Sequence, residues 1–318
     1  MTKKRKPLSI LVACLAIVLA VMGMNELWSC VGRGDKLPSE VNEGKPTTNS
    51  TEKNALFAAQ EAEAAEAADA EYENLEAPDE GLSQRAYENL EQPAELRNKQ
   101  EMLLFKSQFI ISYNIGNLCP NYVCWSLTPS RAKGKVQRSN KFHADITMNA
   151  RNSVESFDYN GSGYDRGHMC PAGDNKNTIK AMDESFTMTN ICPQNHQLNT
   201  GMWNDLEVQC RDWAKNYGTL YICCGPIFDS STPKTIGKRK NVKIAVPDRF
   251  FKVILTLGRV PKAIGFIYPN RACEGDMRDY AVSVDQVEKE TGMDFFYQLD
   301  DKQEDALERT CNPSAWGL

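Results

Sequence analysis

The sequence predicts an α+β domain, a mixed α/β arrangement around a mainly antiparallel sheet. Six short β-rich segments follow one another between turn residues, with too little helix between them for a parallel βαβ pattern. One strongly amphipathic stretch begins at Asn199. Charge and composition change abruptly near residue 102. Residues 51–101 carry 4 Lys/Arg against 14 Asp/Glu, whereas residues 102–318 carry 26 against 24. The formal charge of −5 therefore belongs to an acidic spacer and says little about the partners of the C-terminal part. Three regions follow: residues 1–30 as a signal or membrane anchor, 31–102 as a tether, and 103–318 as the folded domain. At about 215 residues that domain can bury one substantial core.

At the N-terminus, Lys3, Lys4, Arg5 and Lys6 precede an uncharged apolar run from Leu8 to Met24. This is the layout of an export signal, and the basic flank places everything after it outside the cytoplasm. Leu27-Trp28-Ser29-Cys30 loosely matches a bacterial lipoprotein box, so lipoprotein, uncleaved anchor and secreted protein all stay open. The expected location is extracytoplasmic, in a bacterial cell envelope or beyond it, with the membrane as a partner of the N-terminal segment. Eleven cysteines suit that address. Cys119 and Cys124 bracket a Pro-Asn pair and would close a small disulfide loop; Cys273 and Cys311 would clip the tail. Zinc is disfavoured, because no two-residue Cys spacing recurs and there are only three histidines.

Gly32 to Thr51 reads as a flexible tether and Ala55 to Ala70 as an Ala/Glu helix with little apolar surface. A short repeat follows, Tyr72-Glu-Asn-Leu-Glu-Ala-Pro78 and Tyr87-Glu-Asn-Leu-Glu-Gln-Pro93, which reads as a duplicated acidic stalk. Within the domain, Phe109 to Tyr113 and Tyr122 to Leu127 are strands. Arg131 to Lys141 is a basic loop with five cations that could face phosphate. Asn199 to Tyr217 reads as one helix, with Leu206, Cys210 and Trp213 on its apolar face. Asn199 and Glu207, eight apart, would share another face and point an amide and a carboxylate into one cleft. Thr219 to Cys224, Val242 to Val246, Phe250 to Leu257 and Ala263 to Tyr268 are four more strands. Ser283 to Gln286 caps a short helix that Gly292 would close.

The chemistry concentrates between Gly161 and Glu207. His168 follows Asp165-Arg166-Gly167 behind a Gly-Ser-Gly turn, and Asn190, Asn199 and Glu207 come after it. Phosphodiester hydrolysis needs a base for water and charge relief on the phosphate and leaving oxygens. A neutral imidazole, with an unperturbed pKa of about 6.5, is the usual base. An amide oxygen and a carboxylate suit magnesium, a hard ion that keeps most of its waters. Arginine matches phosphate with paired donors. His143 and His196 read as structural. Cys170 and Cys192 lack the partners a thiol nucleophile needs.

The string Tyr164-Asp-Arg-Gly-His-Met-Cys-Pro-Ala-Gly-Asp174 resembles the DRGH signature of the DNA/RNA non-specific endonucleases, the ββα-metal group. The likeness continues through Ser185 to Gln194, Leu198-Asn199, Trp203, Leu206-Glu207, Gly225 to Phe228 and Val246 to Lys252. It implies α/β/α layering with a ββα-metal motif at the site. It further implies His168 as general base, Asn199 as metal ligand, and Glu207 as a water-mediated metal partner. Asn190 would orient groups in the cleft, and Asp165 and Arg166 would shape the loop and meet phosphate. Arg138 would stabilise the transition state, with Arg131 its neighbour in sequence and rival for the role. The cofactor would be Mg2+, with Mn2+ or another divalent cation as substitutes, and the partners DNA and RNA without sequence preference. The alternative is an envelope nucleic-acid-binding or uptake module whose nuclease is restrained by the acidic stalk.

Overall fold

The structure is a computed structural model, described here for residues 89–97 and 99–318. The N-terminal basic and apolar segment, the tether and the first copy of the repeat lie outside the described residues. In chain order the elements are β1 (Met102–Phe105), β2 (Ile110–Asn114), β3 (Cys119–Leu127), β4 (Asp165–His168), α1 (Ile179–Ser185), β5 (Ile191–Gln194), α2 (His196–Thr200) and α3 (Met202–Tyr217). There follow β6 (Leu220–Ile227), β7 (Thr235–Ile236), β8 (Ile244–Ala245), β9 (Arg249–Thr256), β10 (Lys262–Pro269), β11 (Ala281–Val282), α4 (Val284–Thr291) and α5 (Asp301–Glu308). Seven strands form an antiparallel sheet in the order β1-β2-β3-β6-β9-β10-β11, while β4 pairs with β5 and β7 with β8. This is the α+β, α/β/α arrangement expected.

The sheet is covered on both faces, which is why its central strands are apolar without alternation. In β9, Phe250 and Ile254 face one core with Trp125 of β3, Ile222 of β6 and Trp203, Leu206, Cys210 and Trp213 of α3. Phe251, Val253 and Leu255 face the other, with Val284 and Val287 of α4, Leu307 of α5, Phe295 and Leu299. Lys252 falls in phase with Phe250 and Ile254, so an ammonium points into the α3 face.

Residues upstream of β1 lie on the folded body. Leu90, in the second copy of the repeat, is fully buried in the α4/α5 core. Ala94 N donates to Asp294 O at 2.9 Å, Gln298 Nε2 to Asn89 O at 2.8 Å and Lys99 Nζ to Thr291 O at 2.9 Å.

Two expectations need correction. The stretch from Asn199 to Tyr217 is two helices rather than one, broken at Gly201, whose φ of −107° and ψ of −117° leave the helical region. A Cβ there would lie 2.6 Å from Gln197 O. The expected disulfides are also absent: all nine described cysteines are free. Cys119 and Cys124 lie on β3 at odd separation and face opposite sides, so they bracket no loop. Pro120 is accommodated where the β2–β3 register shifts after Ser112. By contrast, the Ser283 side chain accepts from Gln286 N and Gly292 closes α4 in the left-handed region, as expected. No described helix is long and apolar enough to cross a membrane.

Leu90→Ala should cost about 2–4 kcal/mol in chemical denaturation, because its side chain has no solvent to fall back on. A change of a few tenths would show that the second repeat copy is not part of the folded unit.

Candidate active site

β4 and β5 pair antiparallel, with Asp165 opposite Gln194 and His168 opposite Ile191. The intervening Gly167 is required by space: a Cβ would fall 2.2 Å from Gln194 Oε1. α2 follows directly, capped by Asn195, whose side chain accepts from Gln197 N and Leu198 N. Two strands and a helix thus bring Asp165 and Asn199 together. Asp165 Oδ2 accepts from Asn199 Nδ2 at 2.9 Å and from His196 Nδ1 at 2.9 Å. A carboxylate only accepts, so this contact fixes which way the Asn199 amide is turned and leaves its Oδ1 for another partner. Asp165 therefore orients Asn199, and as an acceptor-only group it offers a phosphate oxygen no donor.

His168 is 7 % exposed, and its Nε2 has no hydrogen-bond partner. Its ring packs against Phe142, centroids 5.3 Å apart, and edge-on against Phe186 at 4.9 Å. Burial in this apolar setting, reinforced by the Arg138 charge, pushes its pKa down to about 3. The imidazole is held neutral, with the lone-pair form available throughout the physiological range. Trp203 Nε1 of α3 donates to His168 O at 3.3 Å and ties the strand to the helix that carries Glu207 one turn on.

Glu207 is partly buried on α3. Burial pushes its carboxyl up to about 7, against the opposing charges of Lys252, Arg211 and Arg138. Lys252 is fully buried, its Nζ without a hydrogen-bond partner, 4.4 Å from the Trp203 ring centroid and 5.4 Å from that of Trp125. This lysine escaped the sequence reading, although a lone charge inside the apolar run Phe250 to Leu255 signals it.

The two arginines separate cleanly. Arg131 is buried, and its guanidinium is consumed by Asp174 O, Gln108 O, Ser126 O and Asn175 Oδ1 at 2.7–2.9 Å. It holds the loop behind the site. Arg138 is exposed, lies 5.2 Å from the Phe186 ring, and acts on both His168 and Glu207. Arg166 covers Phe142 at 5.1 Å and donates to Ser156 O at 3.0 Å.

Asn190 lies elsewhere than the cleft. It is fully buried: its Oδ1 accepts from Cys170 N, and its Nδ2 donates to Cys170 O and Ser185 O, each at 2.9 Å. Its carboxamide is a clamp on the chain just past His168, with both amide hydrogens committed to backbone carbonyls. A concavity of about 510 Å3 lined by Glu91, Lys106, Gln108 and Arg131 contains none of His168, Asn199, Glu207 and Arg138.

Two antiparallel strands with a histidine at the end of the first, closed by a helix that presents an oriented amide, form a ββα site. The chain belongs to the DNA/RNA non-specific endonuclease family, whose model matches residues 88–302. It is 36% identical over 204 residues to mitochondrial nuclease EXOG of Xenopus laevis, covering 60% of this chain and 57% of that one. It is 34% identical over 212 residues to mitochondrial endonuclease G of Caenorhabditis elegans, covering 61% and 68%. The solved EndoG/EndoGI complex, described as a mechanism of EndoG inhibition, superposes with a TM-score of 0.60 at 30% identity, covering 64% of this chain and 89% of that one. The matched region thus spans a little over half the length of the Xenopus relative.

His168 should titrate far from an exposed imidazole. The unfolded chain takes up this proton near pH 6.5 but the folded one only near 3, so stability falls as pH drops through that window. In an NMR titration the His168 ring should show a midpoint below about 5; a midpoint at or above that of a free imidazole would contradict the apolar setting. Asp165→Ala should lower turnover roughly 10- to 100-fold while leaving the melting temperature nearly unchanged, since it frees the Asn199 amide to rotate. Unchanged turnover would show that the amide needs no such anchor.

Proposed function

We propose that this chain is an exported, divalent-cation-dependent endonuclease that hydrolyses DNA and RNA phosphodiesters without sugar or sequence preference. The observation that carries the reading is His168: a buried, neutral imidazole with an unpartnered Nε2, on the same strand as the carboxylate that orients Asn199. Family membership supports the reaction class. The basic and apolar N-terminal pattern, Lys3 to Met24, supports export, with the membrane or lipid as anchor and an extracytoplasmic bacterial envelope as the location.

The residues present fit a hard cation. Asn199 offers a neutral amide oxygen whose partner amide nitrogen is already committed, and Glu207 offers a carboxylate that burial leaves short of positive charge. Asn199 would hold the ion and Glu207 would support it; Mg2+ suits the set, and Mn2+ is a close substitute. When bound, the ion supplies charge relief on the phosphate and leaving oxygens. His168, neutral at physiological pH, takes the proton of the attacking water on its unprotonated ring nitrogen. Phe142 and Phe186 exclude competing donors from that nitrogen. Arg138, exposed beside Phe186, meets the non-bridging phosphate oxygens as charge builds on them. Lys252 balances part of the Glu207 charge from below, and Trp203 keeps strand and helix in register.

The test is digestion of supercoiled plasmid and of RNA by the full chain, with magnesium and with chelator, beside His168→Ala. Both substrates should be cut only with the metal, and the variant should lose about 100- to 10,000-fold in rate. Activity that survives His168→Ala would place the base elsewhere. Binding without cleavage in the wild type would favour the nucleic-acid-binding module instead.

A further inference from the structure

On the opposite face of the sheet from α3, the helices α4 and α5 pack against each other and present carboxylates to one point. Asp285 and Glu288, one turn apart on α4, meet Glu308 in the last turn of α5. One carboxylate oxygen from each lies within 4.8 Å of the other two, and this is the only such group among the described residues. Glu308 is only 5 % exposed, and its Oε1 has no hydrogen-bond partner. Glu288 keeps one oxygen available, because only its Oε1 is engaged, accepting from Phe295 N at 2.7 Å. Asp285 is exposed and gives the cluster an opening to solvent.

Arg309, the cation next to Glu308 in sequence, is paired with Asp305. The charged groups that act on Glu308 most strongly, Glu288, Glu304, Asp285 and Asp294, are all acidic. The last turn of α5 holds no basic residue, and a helix C-terminus itself repels anions. A buried carboxylate at that position, aimed at two others, lacks a positive charge.

We propose that α4 and α5 form a second, structural cation site in which Asp285, Glu288 and Glu308 hold a hard divalent ion, calcium in preference to magnesium. Two oxygens that share an ion at about 2.4 Å are at most about 4.8 Å apart, and calcium accepts irregular oxygen shells that magnesium does not. Water at the Asp285 opening completes the shell. Glu308 lies beyond the family's matched span, which ends at residue 302, so the site joins the C-terminal segment to the body rather than serving the family's reaction. It is independent of the function proposed above.

The test is thermal unfolding of the chelator-stripped full chain in 1 mM-range CaCl2, MgCl2, or NaCl of equal ionic strength. Calcium should raise Tm by about 3 °C or more, and magnesium by clearly less. Glu308→Gln should abolish the calcium-specific rise. Asp285→Asn, an exposed change that leaves the core intact, should weaken the calcium midpoint by about tenfold and carries the test if Glu308→Gln folds poorly. Asn199→Ala should keep the rise, which separates this site from the active one. No calcium-specific rise at pH 7, as when Glu308 simply stays protonated, overturns the proposal. So does a rise that persists in both Glu308→Gln and Asp285→Asn.

Discussion

The contact between Asp165 and Asn199 is the joint on which the active site depends. It fastens the first strand of the ββα unit to the helix that follows the second, across 34 positions of sequence. It also decides the orientation of an amide that would otherwise have two nearly equal rotations. Everything around it is arranged to keep that strand still. Gln194 leaves no room for a side chain at Gly167, Asn190 grips the backbone of Cys170, and Trp203 holds the carbonyl of His168.

Two dielectric settings meet at this joint. His168 sits against Phe142 and Phe186, where a positive charge is costly, and so stays neutral. Glu207 sits where Lys252, Arg211 and Arg138 all act on it, yet burial still outweighs them. A neutral imidazole and an under-compensated carboxylate thus lie on neighbouring elements, one where positive charge is costly and the other where it is lacking.

Most of the sheet was legible because both of its faces are buried, so β6 and β10 read as apolar runs and β9 as one interrupted only by Lys252. His168, Asn199 and Glu207 stood out because polar side chains crowd the stretch from Gly161 to Glu207, but the Asp165–Asn199 contact that orients the amide gave no signal in the sequence. The helix break was not, because the apolar phase of Leu206, Cys210 and Trp213 continues smoothly behind it and Gly201 looks tolerable in a helix. The Cys119–Cys124 loop was misread because Pro120-Asn121 resembles a turn, whereas a register shift lets proline stay within β3. Arg131 and Arg138 could not be ranked by sequence, since only burial shows that the first has spent its donors on carbonyls. Lys252 was hidden for the opposite reason: its strand was so apolar that the charge passed as a gap in the pattern.

The break at Gly201 places the amide and the carboxylate on separately aimed rods. Asn199 takes its direction from β4 through Asp165, and Glu207 takes its own from the packing of Trp203 and Leu206 under the sheet. A change in the core beneath α3 can therefore re-aim the carboxylate while the amide keeps its tie to β4 through Asp165. The two halves of the site are separable units of variation, and a substrate preference could be retuned on one side of the cleft while the other is conserved in place.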